Sequence, residues 1–512
     1  SSAPRPNAVQ AQHCTPRHVL PGLPRGSNPA ASGRRGVLDA PSHLLQAAPP
    51  FATKTMPGTF KESFGIFNNK GGVGKTTLAF QLLCEFARAH PNDVVVALDM
   101  CPQANLSQML LTRVLMAPTL SVSSGDHQVK KQMRSLDSTG LPKTVAGVIA
   151  GIMDNGMFLQ STRFKDDILI RPSERNPHVP DNIYLLCGDA TLDSIAAALH
   201  ENARRTAVGV PPFWTVHTSL RRVLEKLPRE FERDVWGFVD TNPALTIYTH
   251  IALCAMTKMI VPLQADEFSA VAVNEIFLRV YATCEPLDNA LNLSTKESFE
   301  WKIKEHKFSS GTHKIELPKI HMVIMNKTKL VPAARARYSN PAYAKALEIA
   351  GECGFYGNCY EADPKNFSDR GGVIGSSMSG GNIEPWRLAQ NEFCSRFLYF
   401  MSDMEQAAIV TTSSGMPLQA LLDNNNAAKV EALKASLNAT GMQQQMLQTA
   451  NLFLRYLVQH MTINRGRMPR DIDLKSWLVP LEHSRPPGGG GGGDDGGGDD
   501  GGGDDGGGDD GG

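Results

Sequence analysis

Between residues 60 and 330 the chain repeats one pattern: a short apolar run that ends in polar or small residues. The runs read "SFGIFNN" (63–69), "DVVVALDM" (93–100), "NIYLLCGD" (182–189), "VWGFVDTNP" (235–243), "KMIVPLQAD" (258–266) and "KIHMVIMNK" (319–327). Runs this short and this apolar predict strands of a parallel sheet buried on both faces. The text between them has helical periodicity. In "GKTTLAFQLLCEFARAH" (74–90), Leu78, Leu82, Leu83 and Phe86 fall on one helical face. Strands alternating with helices imply right-handed βαβ crossovers and therefore an α/β fold with a doubly wound, mostly parallel sheet. Ligands of such sheets bind at the carboxyl ends of the strands, so the polar strand endings are where chemistry is expected.

Residues 110–180 and 286–316 interrupt the pattern and are expected to be insertions. The segment from about 400 to 483, with "QQQMLQTANLFLRYLVQHM" (443–461), reads as helical and carries no recognisable motif. The expected organisation is thus an α/β domain over 56–400, a helical extension over 401–483, and two low-complexity ends. Residues 1–55 hold nine prolines and little periodicity, and are expected to be disordered. They are Arg-rich and acid-poor, as organelle transit peptides are. The first methionine is Met56, so the alternative is sequence lying ahead of a start at Met56. Residues 484–512 end in "GGGDD" repeats, which cannot bury a core.

Charge and cysteine change this picture little. The net charge of zero is a cancellation between Arg-rich residues 1–55 and eight aspartates in the tail, leaving about +3 for residues 56–487. That balance does not call for nucleic acid. Nine scattered cysteines do not suggest a secreted disulfide framework. Cys353 and Cys359 are poorly spaced for a metal, and no apolar run reaches the ~18 residues of a membrane helix. A soluble cytoplasmic protein is expected, or an organellar one if residues 1–55 are a transit peptide.

The chemistry begins at "NNKGGVGKTT" (68–77). From Gly74 onward it fits the phosphate-loop pattern G-x-x-x-x-G-K-S/T, but Asn69 stands at the first glycine position. Glycines let the backbone curl so that N–H groups face phosphate oxygens, and the following helix adds its positive N-terminus. Gly71, Gly72, Val73, Gly74, Lys75, Thr76 and Thr77 are the expected nucleotide-binding residues. Lys75 would reach the β- and γ-phosphates, and the Thr76 hydroxyl would ligate Mg²⁺. Asp240, ending the apolar strand "VWGFVD", is a second candidate for magnesium, held through water.

Lys70 is a second lysine in the same turn. "KGGVGKTT" resembles the deviant Walker A loop of the ParA/MinD family of ATPases, which includes the nitrogenase iron protein. Four further stretches resemble that family in its own order: "VVVALDMCPQANLSQMLL" its switch I, "NIYLLCGDATLDSIAAAL" a later strand and helix, "FVDTNPALTIYTHIAL" its Walker B strand and switch II, and "IVPLQADEFSAVAVNEI" the next strand and helix. The resemblance covers about residues 62–400 and is nearest to ParA-like partition ATPases. It implies ATP and Mg²⁺ as cofactors and an ATP-dependent homodimer in which Lys70 reaches the partner's phosphates. It further implies non-specific DNA and an activating protein as partners.

The family's switch I reads D-x-D-P-Q, which puts Asp99 at the first position and Cys101 at the second, where an aspartate orients the attacking water. A thiol is a poor substitute. Either Asp99 or another group positions the water, or hydrolysis is slow. Pro102, Gln103 and Asn105 are expected to shape switch I, and Asn242 and Pro243 switch II, which would sense the γ-phosphate. Asn326 and Lys327 resemble the base-reading N-K pair of phosphate-loop proteins, with Lys329 where guanine readers carry an aspartate, which favours adenine. The 366–375 loop lies where the family often contacts adenine.

The leading expectation is an ATP-driven dimerisation switch with slow hydrolysis. The alternatives are a nucleotide-binding module with little turnover and a biosynthetic ATP-dependent enzyme of the same fold. A membrane switch like MinD ranks low because the Asp-rich tail would be repelled by anionic lipid. An iron–sulfur carrier ranks low because Cys187, Cys254 and Cys284 lack ligand contexts. A tyrosine kinase ranks low because no tyrosine follows Tyr456.

Overall fold

Seven strands, all parallel, form one sheet. They are β1 (Phe60–Ile66), β2 (Val94–Met100), β3 (Ile183–Leu186), β4 (Val235–Thr241), β5 (Lys258–Leu263), β6 (Lys319–Thr328) and β7 (Leu398–Ser402), in the spatial order β3-β2-β4-β1-β5-β6-β7. The structure, a computed structural model, describes residues 58–116, 120–137, 140–207, 209–264, 267–281, 298–306, 313–328 and 397–463. The expectations for residues 1–55, the 366–375 loop, Lys329, Cys284, Cys353, Cys359 and the 484–512 tail lie outside the described residues.

The strands are apolar throughout because both faces are covered. Along β2, Val94, Val96, Leu98 and Met100 enter one core and Val95 and Ala97 the other. On the first face lie helices Val145–Asp154, Thr191–Arg204, Ser219–Phe231 and Ile247–Ala255. The second holds α1 (Lys75–Ala89), α2 (Asn105–Leu111) and the C-terminal helices Gln406–Ser414, Leu418–Leu422, Ala427–Ser436 and Gln444–Met461. The expected insertion over 110–180 contributes an antiparallel pair, Arg113–Met116 with Leu120–Ser123, and four short helices.

Two features depart from the sequence reading. "RFLYFM" (396–401) is not among the runs read as strands, yet most of β7 falls in it, with Tyr399 and Met401 buried beside β6. Helix α1 is buried over most of its circumference, not on one face. Gln81 takes the Leu418 N–H on its Oε1 at 2.9 Å, and Arg455 lies 3.3 Å from buried Glu85. Helix Gln444–Met461 packs on α1 with Leu454, Leu457 and Val458 in the shared core. The chain reaches α2 through Gly415, whose φ of 66° favours glycine and whose added Cβ would lie 2.4 Å from the Met109 carbonyl. No helix among the described residues is long and apolar enough to cross a membrane.

The first face also buries two histidines. His217 bonds through Nδ1 to the Phe213 carbonyl at 2.8 Å, and His250 stacks on Phe299 with ring centroids 4.1 Å apart. Burial pushes the His217 pKa down to about 4 and that of His250 well below its ordinary value, with His200, His306 and Lys302 adding repulsion. Unfolded imidazoles take up protons near pH 6.5. The unfolded state therefore binds more protons between pH 6.5 and 4, and stability falls as pH drops through that window. His217 alone should cost about 2 kcal/mol by pH 5. Urea unfolding between pH 7 and 5 checks this: the loss should shrink in His217→Phe, and an unchanged slope would refute it.

Candidate functional site

The site is built where β1 runs into α1. Gly72 and Gly74 have φ of 75° and 84°, in the left-handed region that glycine enters without strain. At Gly74 the space is also closed, since an added Cβ would lie 2.5 Å from Asn326 Nδ2. The loop is gripped from the β5 and β6 side. Gln264 Nε2 and Lys327 Nζ donate to the Gly72 carbonyl at 3.1 and 3.3 Å, and Asn326 Nδ2 donates to the Val73 carbonyl at 2.8 Å. A trans peptide points its N–H opposite to its C=O, so the N–H groups of Val73 and Gly74 are turned away from these contacts. Asn68, buried, donates to the Pro262 carbonyl at 2.7 Å and accepts the Lys70 N–H at 2.8 Å. Gly71 is exposed in the turn.

Lys75 opens α1 and is 7% exposed. Its Nζ donates to the Lys70 carbonyl at 2.8 Å, linking the two lysines through the backbone of one and the side chain of the other. Burial lowers its pKa, opposed by the charge of Asp240 and then by Cys101. Lys70 is half-buried, as are Thr76 and Thr77 in the first turn of α1.

Asp240 is the last residue but one of β4 and lies between two neighbours, pairing in register with Ile66 of β1 and with Asp99 of β2. It is fully buried, and neither carboxylate oxygen has a hydrogen-bond partner. Burial raises its pKa, the Asp99 charge adds to that, and the Thr76 hydroxyl and Lys75 ammonium oppose it. A buried, orphaned carboxylate beside the phosphate-loop threonine is the kind of vacancy in bonding that a divalent cation fills. Among the described residues no group of three or more His, Cys, Asp or Glu could hold a metal. Magnesium takes one or two carboxylates and keeps water or phosphate for the rest.

Asp99 is fully buried too, but its oxygens are engaged. Oδ2 accepts from the Ser107 N–H and hydroxyl at 2.8 and 2.7 Å, and Oδ1 accepts the Cys101 N–H at 3.2 Å. Burial raises its pKa against these bonds. Asp99 thus ties the start of α2 to the end of β2. Cys101 is buried and its thiol is pushed up to about 12, first by burial and then by Asp99, so it is neutral near pH 7. Of the expected switch I residues, Pro102 is buried while Gln103 and Asn105 are exposed and bonded to each other at 3.2 Å.

Asn326 was read as a base contact; what its amide does in the structure is hold the phosphate loop. Oδ1 accepts the N–H of Lys327, itself at φ 57°, and one Nδ2 hydrogen goes to Val73. Ser107, Gln264 and Asn68 were missed in the sequence. Each acts through a bond to backbone or carboxylate that no fixed spacing announces.

Residues 62–293 match the family model described as AAA domain. No curated protein matches the chain. Among solved structures it is similar to McdA from Cyanothece in complex with ATP, at 16% identity over 76% of this chain and 99% of that one, TM-score 0.39. A plasmid partition protein from Borrelia burgdorferi bound to AMPPNP is 17% identical over 57% and 83%, TM-score 0.32. Cobyrinic acid a,c-diamide synthase from Mycobacterium smegmatis with ADP and magnesium is 17% identical over 57% and 82%, TM-score 0.33. The matched segment contains the phosphate loop, Asp99, Cys101 and Asp240, while Asn326 and the C-terminal helices lie beyond it.

Proposed function

We propose that this protein is an ATP-binding dimerisation switch with slow hydrolysis, of the ParA type. The observation that carries the nucleotide reading is Asp240, a buried carboxylate without hydrogen bonds set against Thr76 and Lys75. Asp240 and Thr76 would hold magnesium, which would supply positive charge to neutralise phosphate. The N–H groups of Val73 and Gly74, the α1 N-terminus and the Lys75 ammonium would bind the phosphates. On binding, Lys75 would exchange the Lys70 carbonyl for phosphate, releasing the turn that carries Lys70. Lys70 would then meet the phosphates of a second copy and stabilise charge there.

Slow turnover follows from switch I. A neutral thiol at Cys101 accepts hydrogen bonds poorly, and Asp99 is occupied by Ser107 and Cys101. The same observation favours a second reading, a nucleotide-binding module with little turnover. A biosynthetic enzyme of the same fold is a third reading. DNA, an activating protein and the boundaries 56–400 and 401–483 rest on the family resemblance and the sequence pattern.

Sedimentation of the full chain with ADP, ATP, and ATP plus duplex DNA, with phosphate release followed in parallel, tests this. A dimer with ATP alone, co-sedimenting with DNA at low salt, is expected, with phosphate released far more slowly than the dimer forms. A nucleotide-bound monomer in all three conditions would overturn the switch.

A further inference from the structure

Asn242 follows Asp240 by two residues, and its carboxamide is committed inward. Nδ2 donates to the Tyr248 hydroxyl at 2.9 Å, and Oδ1 accepts the Ala244 N–H at 3.3 Å. The Tyr248 hydroxyl in turn donates to Asp193 Oδ1 at 2.8 Å. A phenol has one hydrogen to give and can accept at its oxygen. Here the hydrogen goes to the carboxylate and a lone pair takes the amide, which fixes the direction of both bonds. The turn is closed further by Thr249 Oγ1 donating to the Ala244 carbonyl at 2.5 Å.

The anchor crosses elements. Asp193 lies in the first turn of helix Thr191–Arg204, which follows β3, whereas Asn242 and Tyr248 follow β4. In the sheet β2 lies between β3 and β4. The chain of bonds therefore joins the segments that flank the root of the Asp99–Cys101 loop. Tyr248 is 2% exposed, so its ring is fixed by packing and only its hydroxyl is used for bonding. A solvent-facing Asp193 gains a helix N-terminus and needs no tyrosine for stability. What the tyrosine adds is the position of Asn242.

We propose that Tyr248 is a positioning residue: with Asp193 it holds Asn242, and thereby the backbone just after Asp240, where a triphosphate is distinguished from a diphosphate. This rests on the nucleotide reading above. The γ-phosphate is the part of ATP that ADP lacks, and the segment next to the Asp240 carboxylate is the one placed to meet it. Loss of the hydroxyl frees that segment and leaves the diphosphate contacts of the phosphate loop in place.

The test is the affinity of the full chain for a non-hydrolysable ATP analogue and for ADP, each with magnesium. In Tyr248→Phe the analogue should bind about tenfold more weakly, the size of one lost buried hydrogen bond, and ADP within about twofold of wild type. Asp193→Ala should behave alike, and Asp193→Asn, which keeps an acceptor oxygen, should restore discrimination. The double variant Asp193→Ala with Tyr248→Phe should be no worse than either single one, because the bonds act as one unit. Unchanged discrimination in Tyr248→Phe would overturn the inference alone, as would equal weakening of both nucleotides with a lowered melting temperature. Wild type that binds neither nucleotide would overturn the nucleotide reading itself.

Discussion

Lys75→Ala should weaken ATP binding about a hundredfold or more while the protein stays folded. The Lys75 ammonium is buried at the mouth of α1, where hydrogen bonds to charged groups contribute about 1.5–3 kcal/mol each, and two phosphate contacts suffice for that loss. Folding should change little. The variant loses the 2.8 Å bond to the Lys70 carbonyl but also the cost of burying a charge, which the lowered pKa records. Isothermal titration with ATP and magnesium, beside a thermal melt, separates the two effects. An unchanged dissociation constant would remove this loop as the phosphate site.

Lys70→Ala should do the reverse. Nucleotide affinity of the monomer should stay within a few fold, since Lys70 gives the loop its carbonyl and N–H, which alanine also supplies. The ATP-dependent dimer should be lost, because bringing two triphosphates together without a neutralising cation is opposed by charge repulsion. Sedimentation with saturating ATP decides it: a normal dimer would refute the action of Lys70 on a partner.

The candidate site was largely legible in the sequence because its parts are local. Lys75 and Thr76 sit in one turn, and Asp240 lies near the end of a strand whose apolar run marks it. Six of the seven strands were legible for the same reason. β7 was not: five residues with an arginine nearby carry no period, and their burial comes from β6, some seventy residues earlier. Gln81 and Glu85 lie off the apolar face of Leu78, Leu82, Leu83 and Phe86, yet they are buried by partners, Leu418 and Arg455, more than 300 residues away. The engagement of Asp99 by Ser107 was equally hidden, since it depends on how α2 turns back on β2. Spacing shows which groups are present, whereas long-range packing decides whether they are free.

The central place of β1 has a consequence for synthesis on the ribosome. β1 emerges before its neighbours β4 and β5, which follow some 175 to 195 residues later, and the outer side of α1 waits for helix Gln444–Met461. The phosphate loop therefore joins β1, whose sheet neighbours are not yet made, to α1, which at first has only β2 and α2 to pack on. Pairing over such sequence distance is slow, and apolar residues such as Phe80 and Leu83 stay uncovered meanwhile. The nascent chain carries its loop motif complete long before it has a site, and ribosome-bound chains ending before residue 461 are the form most exposed to aggregation and to chaperones.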